Sequence, residues 1–144
     1  MLRLDFPQVK RFNRAATMHL EAARLLLESC DQKASTVLAT EVMYLSGYVV
    51  ECVLKAVLLS NIPKSKHGAM IERFKTEIKH NLEKLKDAVA KKKIEMPRDK
   101  KEAFRRVCGV WSSEMRYDAV NRLRENAELV AQAAGEVFRW ANPG

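Results

Sequence analysis

The chain predicts an all-α fold, an antiparallel bundle of four to five helices, and three observations carry that expectation. Apolar residues recur at spacings of three and four over long windows, and no stretch sustains the period-two alternation of a half-buried strand. Glycine and proline are scarce, five and four among 144 residues, too few for the turns of a β-sandwich. The composition, 47% hydrophobic and 31% charged, suits a soluble chain that folds around a core. The length fits one helical domain spanning 1–144. A chain of this size buries roughly two thirds of its unfolded surface, so its core does not depend on metals or disulfides.

The first expected helix runs from Val9 to Ser29, with Phe12, Ala16, His19, Ala23 and Leu26 on one stripe. His19 therefore reads as a packed core histidine. Asp31 marks a turn, and Lys33 to Ser60 follows as one long helix with apolar residues on nearly all sides, as a central helix has. Gly47 in its middle costs about 1 kcal/mol relative to alanine, and a close helix crossing is the expected reason. The apolar run Val42 to Leu59 holds Glu51 and Lys55 and reads as too polar for a membrane span. No apolar signal core precedes the first charges, so a cytoplasmic location without membrane contact is expected.

Asn61-Ile62-Pro63 stops the long helix. His67 to Lys93 is helical in two pieces with a break near Thr76, and Ile78, Leu82, Leu85 and Val89 share a face. Ile94 to Arg98 is a connector, after which Asp99 is expected to cap a helix from Lys100 to Val110. The last helix, Asp118 to Trp140, carries Val120, Leu123, Ala127, Val130, Ala134, Val137 and Ala141 at unbroken helical steps. Its small residues admit a close packing partner, in this chain or in a second copy.

Charge is unevenly spread. Asn61 to Arg106 holds fifteen Lys or Arg against seven acids, while the remainder holds eleven of each, so this segment carries the whole net charge of +8. Such a field attracts polyanions in a salt-dependent way, and Lys91, Lys92, Lys93, Lys100 and Lys101 are the expected contacts. The alternative is a solvated lysine face. No aromatic interleaves the run, so base stacking has no support there.

Signatures of most chemistries are absent. The sequence has no Gly-rich phosphate loop, no paired-cysteine zinc spacing, no His-Glu-x-x-His and no nucleophile elbow, so neither a metal nor a cofactor is expected. Cys30, Cys52 and Cys108 read as buried thiols in a reducing compartment. Glu51 and Lys55 stand one helical turn apart. A core-facing Glu51 needs a partner, and Lys55 or Arg116 can supply one. Tyr44, Tyr48 and Trp111 read as core or interface residues.

Two phrases carry a family likeness: Gly47-Tyr48-Val49-Val50-Glu51-Cys52-Val53-Leu54-Lys55-Ala56 with His80-Asn81-Leu82-Glu83-Lys84-Leu85, and Trp111-Ser112-Ser113-Glu114-Met115-Arg116-Tyr117-Asp118. Their order and spacing, from about Phe12 to Phe138, resemble the HEPN domain family. That resemblance implies a helical bundle that dimerises and associates with RNA or nucleotides, in toxin–antitoxin or defence systems. It also implies a nucleotidyltransferase or other protein partner. Active members carry an Arg, then four to six intervening residues, then a His, in a cleft between two copies. Here Arg116 stands at the matching place, but Asn121 replaces the His. Asparagine cannot exchange a proton near neutral pH, so the acid–base step lacks its usual carrier. Arg14 to His19 and Arg73 to His80 also match the spacing, at positions where the family does not place it.

The expectation is a homodimeric module that binds RNA or a nucleotide through Arg116, Arg122 and the lysine segment, with Glu51, Lys55 and His80 as a structural polar cluster. The alternatives are a metal-independent ribonuclease toxin using Arg116, Tyr117 and Asn121, or a dimerisation subunit of a separate enzyme.

Overall fold

The structure, a computed structural model, describes residues 2–30, 35–115 and 124–144. The described residues hold six α-helices and no strand: α1 (Pro7–Ser29), α2 (Ser35–Ser60), α3 (His67–Arg73), α4 (Leu82–Lys91), α5 (Arg98–Cys108) and α6 (Arg124–Ala141). The all-α bundle is as the sequence predicts, with six helices described against the four to five expected, and α3 and α4 are the two pieces expected between His67 and Lys93.

Helix α2 is the axis of the fold. Every residue from Val49 to Leu59 is buried, because α1, α4, α5 and α6 all pack around it. This is the physical reason its apolar residues circle the helix instead of lining one face. By length and composition Val37–Ser60 is apolar enough to cross a membrane, contrary to the expectation that its charges disqualify it. Its most apolar window is 83% buried within the bundle, so its hydrophobicity is satisfied by protein.

The ends of α1 set the chain direction. Arg3 N–H donates to Ser60 Oγ at 3.0 Å, which brings the start of α1 to the end of α2. Asn13 and Asn142 exchange amide hydrogen bonds at 2.9 and 3.0 Å, and Arg124 Nε donates to the Cys30 carbonyl at 2.8 Å. α1 therefore runs antiparallel to both α2 and α6, and those two point the same way. The described part of the last-helix stripe, Ala127, Val130, Ala134, Val137 and Ala141, is entirely buried. Its close packing partners within the chain are α2, α5 and α1. The expected start of that helix at Asp118, with Val120 and Leu123, lies outside the described residues.

Gly47 is explained differently from expectation. A Cβ there would overlap the Trp111 indole, so a side chain, not a crossing helix, occupies the space. Trp111 Nε1 donates to the Tyr44 carbonyl at 2.9 Å, which pins the segment after α5 onto α2. At its far end α2 stops at Asn61, whose amide donates to the Val57 carbonyl at 2.7 Å. The buried His67 meets the Leu59 carbonyl through Nε2 at 2.7 Å and receives the Phe6 ring edge to face. Carbonyls left over at a helix end are thus satisfied inside the protein.

The expected break near Thr76 falls slightly later, at Lys79–Asn81. Thr76 sits within a π-helical turn, Phe74–Ile78, and Asn81 caps α4 by accepting from Lys84 N–H at 3.0 Å. Ile78, Leu82, Leu85 and Val89 are all buried, as their spacing predicts. Helix α5 begins at Arg98, directly after Pro97, and no side chain caps it. Asp99 lies in its first turn, where a carboxylate still complements the helix dipole.

Replacing Gly47 by alanine inserts a methyl group where the indole packs. The expected loss is about 1–3 kcal/mol in urea unfolding, with a change in tryptophan fluorescence. An unchanged unfolding midpoint would show that Trp111 does not pack on Gly47.

Candidate functional site

The site is built on two charged residues that α2 carries into the core. Glu51 and Lys55 are 4% and 7% exposed, and Lys55 Nζ lies 3.2 Å from Glu51 Oε2. The Lys55 ammonium also sits 5.7 and 5.2 Å from the Phe12 and Phe74 ring centroids, within range of their negative faces. The second carboxylate oxygen, Oε1, accepts from His80 Nδ1 at 2.8 Å. Of the two expected partners for Glu51, Lys55 makes the contact, and Arg116 lies outside the described residues. The structure thus brings the expected polar cluster of Glu51, Lys55 and His80 together.

His80 reaches Glu51 from a strained turn. Lys79 has φ 53° and ψ −124°, a conformation that favours glycine at the first central position of a type II′ turn. Asn81 N–H closes this turn on the Ile78 carbonyl at 3.0 Å. The His80 side chain is half exposed, and its Nε2 makes no hydrogen bond among the described residues. One side of the ring meets Tyr48, which also packs against Tyr44, Trp111 and His19. The three expected aromatics are thus packed against one another. His19 is half-buried, and burial lowers its pKa from 6.5 against an opposing pull from Glu51.

Three clefts meet at this turn. The largest, about 650 Å³, is bounded by Lys79, His80, Asn81, Lys84, Trp111 and Ser112. A second, about 440 Å³, shares its Glu77, Ile78 and Lys84 wall and extends to Arg73, Lys91 and Lys92. A third, about 460 Å³, shares Lys79 and His80 and extends to Arg11, Phe12 and Lys75. Apart from the paired Lys55, seven cations line the three clefts: Arg11, Arg73, Lys75, Lys79, Lys84, Lys91 and Lys92. They face three acids, Glu77, Glu83 and Asp87.

The predicted lysines do not form one patch. Lys91 and Lys92 join the second cleft, Lys93 and Lys101 line a separate groove between α4 and α5, and the half-buried Lys100 leans on Asp99 at 3.6 Å. Arg116, Tyr117, Asn121 and Arg122 lie outside the described residues. Sequence reasoning did not single out Lys79 or Lys84 and met Arg73 only as a spacing match, because no local rule shows that cations of α3, the turn and α4 meet around shared clefts.

Among the described residues the three cysteines form no disulfide. Burial, followed by Glu51, pushes the Cys52 thiol up to about 12. Burial, followed by Glu83, pushes Cys108 up to about 12 at the edge of the largest cleft. A thiol held so high supplies little thiolate at neutral pH. Among the described residues no three His, Cys, Asp or Glu side chains are grouped to hold a metal ion.

Glu51→Ala should cost about 3–5 kcal/mol in urea unfolding, because it leaves the Lys55 ammonium buried without its carboxylate. The double variant Glu51→Leu with Lys55→Met should be clearly more stable than Glu51→Ala. A loss below about 1 kcal/mol for Glu51→Ala would mean that water already screens the pair.

His19 makes stability pH-dependent. Its folded pKa is depressed, so the unfolded chain binds the proton more readily. Its contribution is fully present above 6.5 and fades as pH falls from 6.5 through the lower folded value. His19→Gln should flatten that part of a stability–pH curve, and an unaltered curve would contradict the assignment.

Comparison of the chain with protein-family models, with curated proteins and with solved structures gives no match.

Proposed function

We propose that this chain is an RNA-binding helical module of the HEPN type, acting in the cytoplasm as a homodimer beside a protein partner in a toxin–antitoxin or defence system. The single observation that carries RNA binding is the set of three joined clefts, where seven cations face three acids. Of the fifteen basic residues from Asn61 to Arg106, none is buried, so their charge is available to a polyanion. Phosphates are the groups such a surface holds, and the binding is salt-dependent with little base preference. The HEPN-type likeness draws support from the Glu51–Lys55–His80 cluster, which joins the two segments of the first phrase, Gly47–Ala56 and His80–Leu85, in space. For self-association, α1 offers Met18 and Leu25, seven residues apart and 70% and 58% exposed.

A second reading, cleavage of the bound RNA, is favoured by the Glu51–His80 contact. A buried carboxylate holds Nδ1, which leaves Nε2 available on the cleft side. The neutral ring would take the proton of a 2′-hydroxyl as the O2′–P bond forms and the P–O5′ bond breaks. The 5′-oxygen takes a proton from water, leaving a cyclic phosphate and a 5′-hydroxyl, and the imidazolium returns its proton to solvent.

Both readings are tested by fluorescence anisotropy with a labelled single-stranded RNA, from about 50 to about 500 mM salt with chelator present. Binding should weaken steeply with salt, and Lys84→Glu and Lys91→Glu should each reduce the slope of log affinity against log salt by about one. Failure to bind at low salt, or variants that bind like the parent, would overturn RNA binding. Cleavage that His80→Ala abolishes while binding persists would establish the second reading, and intact RNA would discard it.

A further inference from the structure

The groove between α4 and α5 lies apart from the three clefts and has a different character. Its volume is about 460 Å³, within the roughly 300–1,000 Å³ range of small-molecule sites. The floor is apolar: Val89, Met96 and Phe104 are buried, and Ile94 is half-buried. The rim carries three lysines, Lys86, Lys93 and Lys101, with Glu95 as its acid. Lys86 is partly engaged, 4.0 Å from Glu83 and 5.9 Å from the Phe104 ring centroid. Lys93 and Lys101 have no carboxylate partner among the described residues.

Lys93 is held there by the backbone. Its N–H bonds the Ala90 carbonyl at 2.9 Å and the next N–H, of Ile94, points to the Val89 carbonyl at 3.4 Å, the paired pattern of a Schellman helix end. The residue after such a cap takes positive φ and is usually glycine; here it is Lys93, at φ 58°. The same motif brings Ile94 toward Val89, and both belong to the groove floor. The chain therefore carries a lysine in a conformation that suits glycine, at the mouth of an apolar slot.

We propose that this groove binds a medium-chain aliphatic carboxylate, its alkyl chain on Val89, Ile94, Met96 and Phe104 and its head group between Lys93 and Lys101. The choice rests on charge and shape together. An apolar floor recognises hydrocarbon, and a rim of one dominant sign selects an anionic head over a neutral or cationic one. A polyanion alone would leave the apolar floor unused.

Titration of the full chain with decanoate, decanol and decyltrimethylammonium, each below its micelle concentration, tests this by calorimetry and methyl NMR. Decanoate should bind saturably at one site, shift the Ile94 and Met96 methyl signals, and bind at least about tenfold more tightly than the other two. Lys101→Gln and Lys93→Gly should each weaken decanoate binding several-fold. Lys93→Gly should also raise the thermal unfolding midpoint, because glycine relieves the positive φ. That combination separates a binding lysine from a merely structural one. Equal affinity for the three head groups, methyl shifts centred elsewhere, or variants that bind decanoate like the parent would overturn the proposal. Neither variant lies in the three cationic clefts, so RNA binding stands or falls separately.

Discussion

Placing Glu51 and Lys55 on the most buried helix of the chain is the constraint from which much of the surrounding architecture follows. An ammonium removed from water needs a carboxylate, and a buried carboxylate needs donors for both oxygens. Lys55 occupies Oε2, and the Phe12 and Phe74 rings enclose its ammonium. Oε1 is left for a donor from another element, and His80 provides it. To deliver that imidazole the chain breaks its helix between α3 and α4 and accepts an unfavourable backbone at Lys79. The clefts on either side of His80 are the space left by this break.

The same logic separates the core from the charged surface. Lys55 is the buried basic residue among those described, and it is fully engaged with its carboxylate and two rings. The basic excess of the chain sits instead on α3, α4, α5 and their connectors, at the surface. The connector between α4 and α5 divides the lysine run. Lys91 and Lys92 end α4 on one side, and the positive φ at Lys93 carries the chain to the other. A run that is continuous in sequence therefore serves two grooves of different polarity.

Local patterns made some of this legible in advance. The heptad-like steps of Ala127, Val130, Ala134, Val137 and Ala141 specify a buried face because helix geometry is local. The i,i+4 spacing of Glu51 and Lys55 likewise specifies a contact within one helix. Glu51 with His80 was readable only as two members of a polar cluster, since 29 residues separate them and no local rule sets their distance. Gly47 was visible as an anomaly, but its cause stands in Trp111, far along the chain and outside any helix.

Periodicity, glycine and proline punctuation and charge counting settled the all-α class, the approximate helix limits and the location of the basic excess. Each depends on neighbours within a few residues, where chain geometry leaves few alternatives. Three-dimensional packing alone decided that Glu51 meets His80, why Gly47 lacks a side chain, and how the lysines divide between grooves. Those outcomes depend on contacts between distant segments, and a sequence records the partners without recording that they meet. The helices were written locally; the site arises from the way α2 is enclosed.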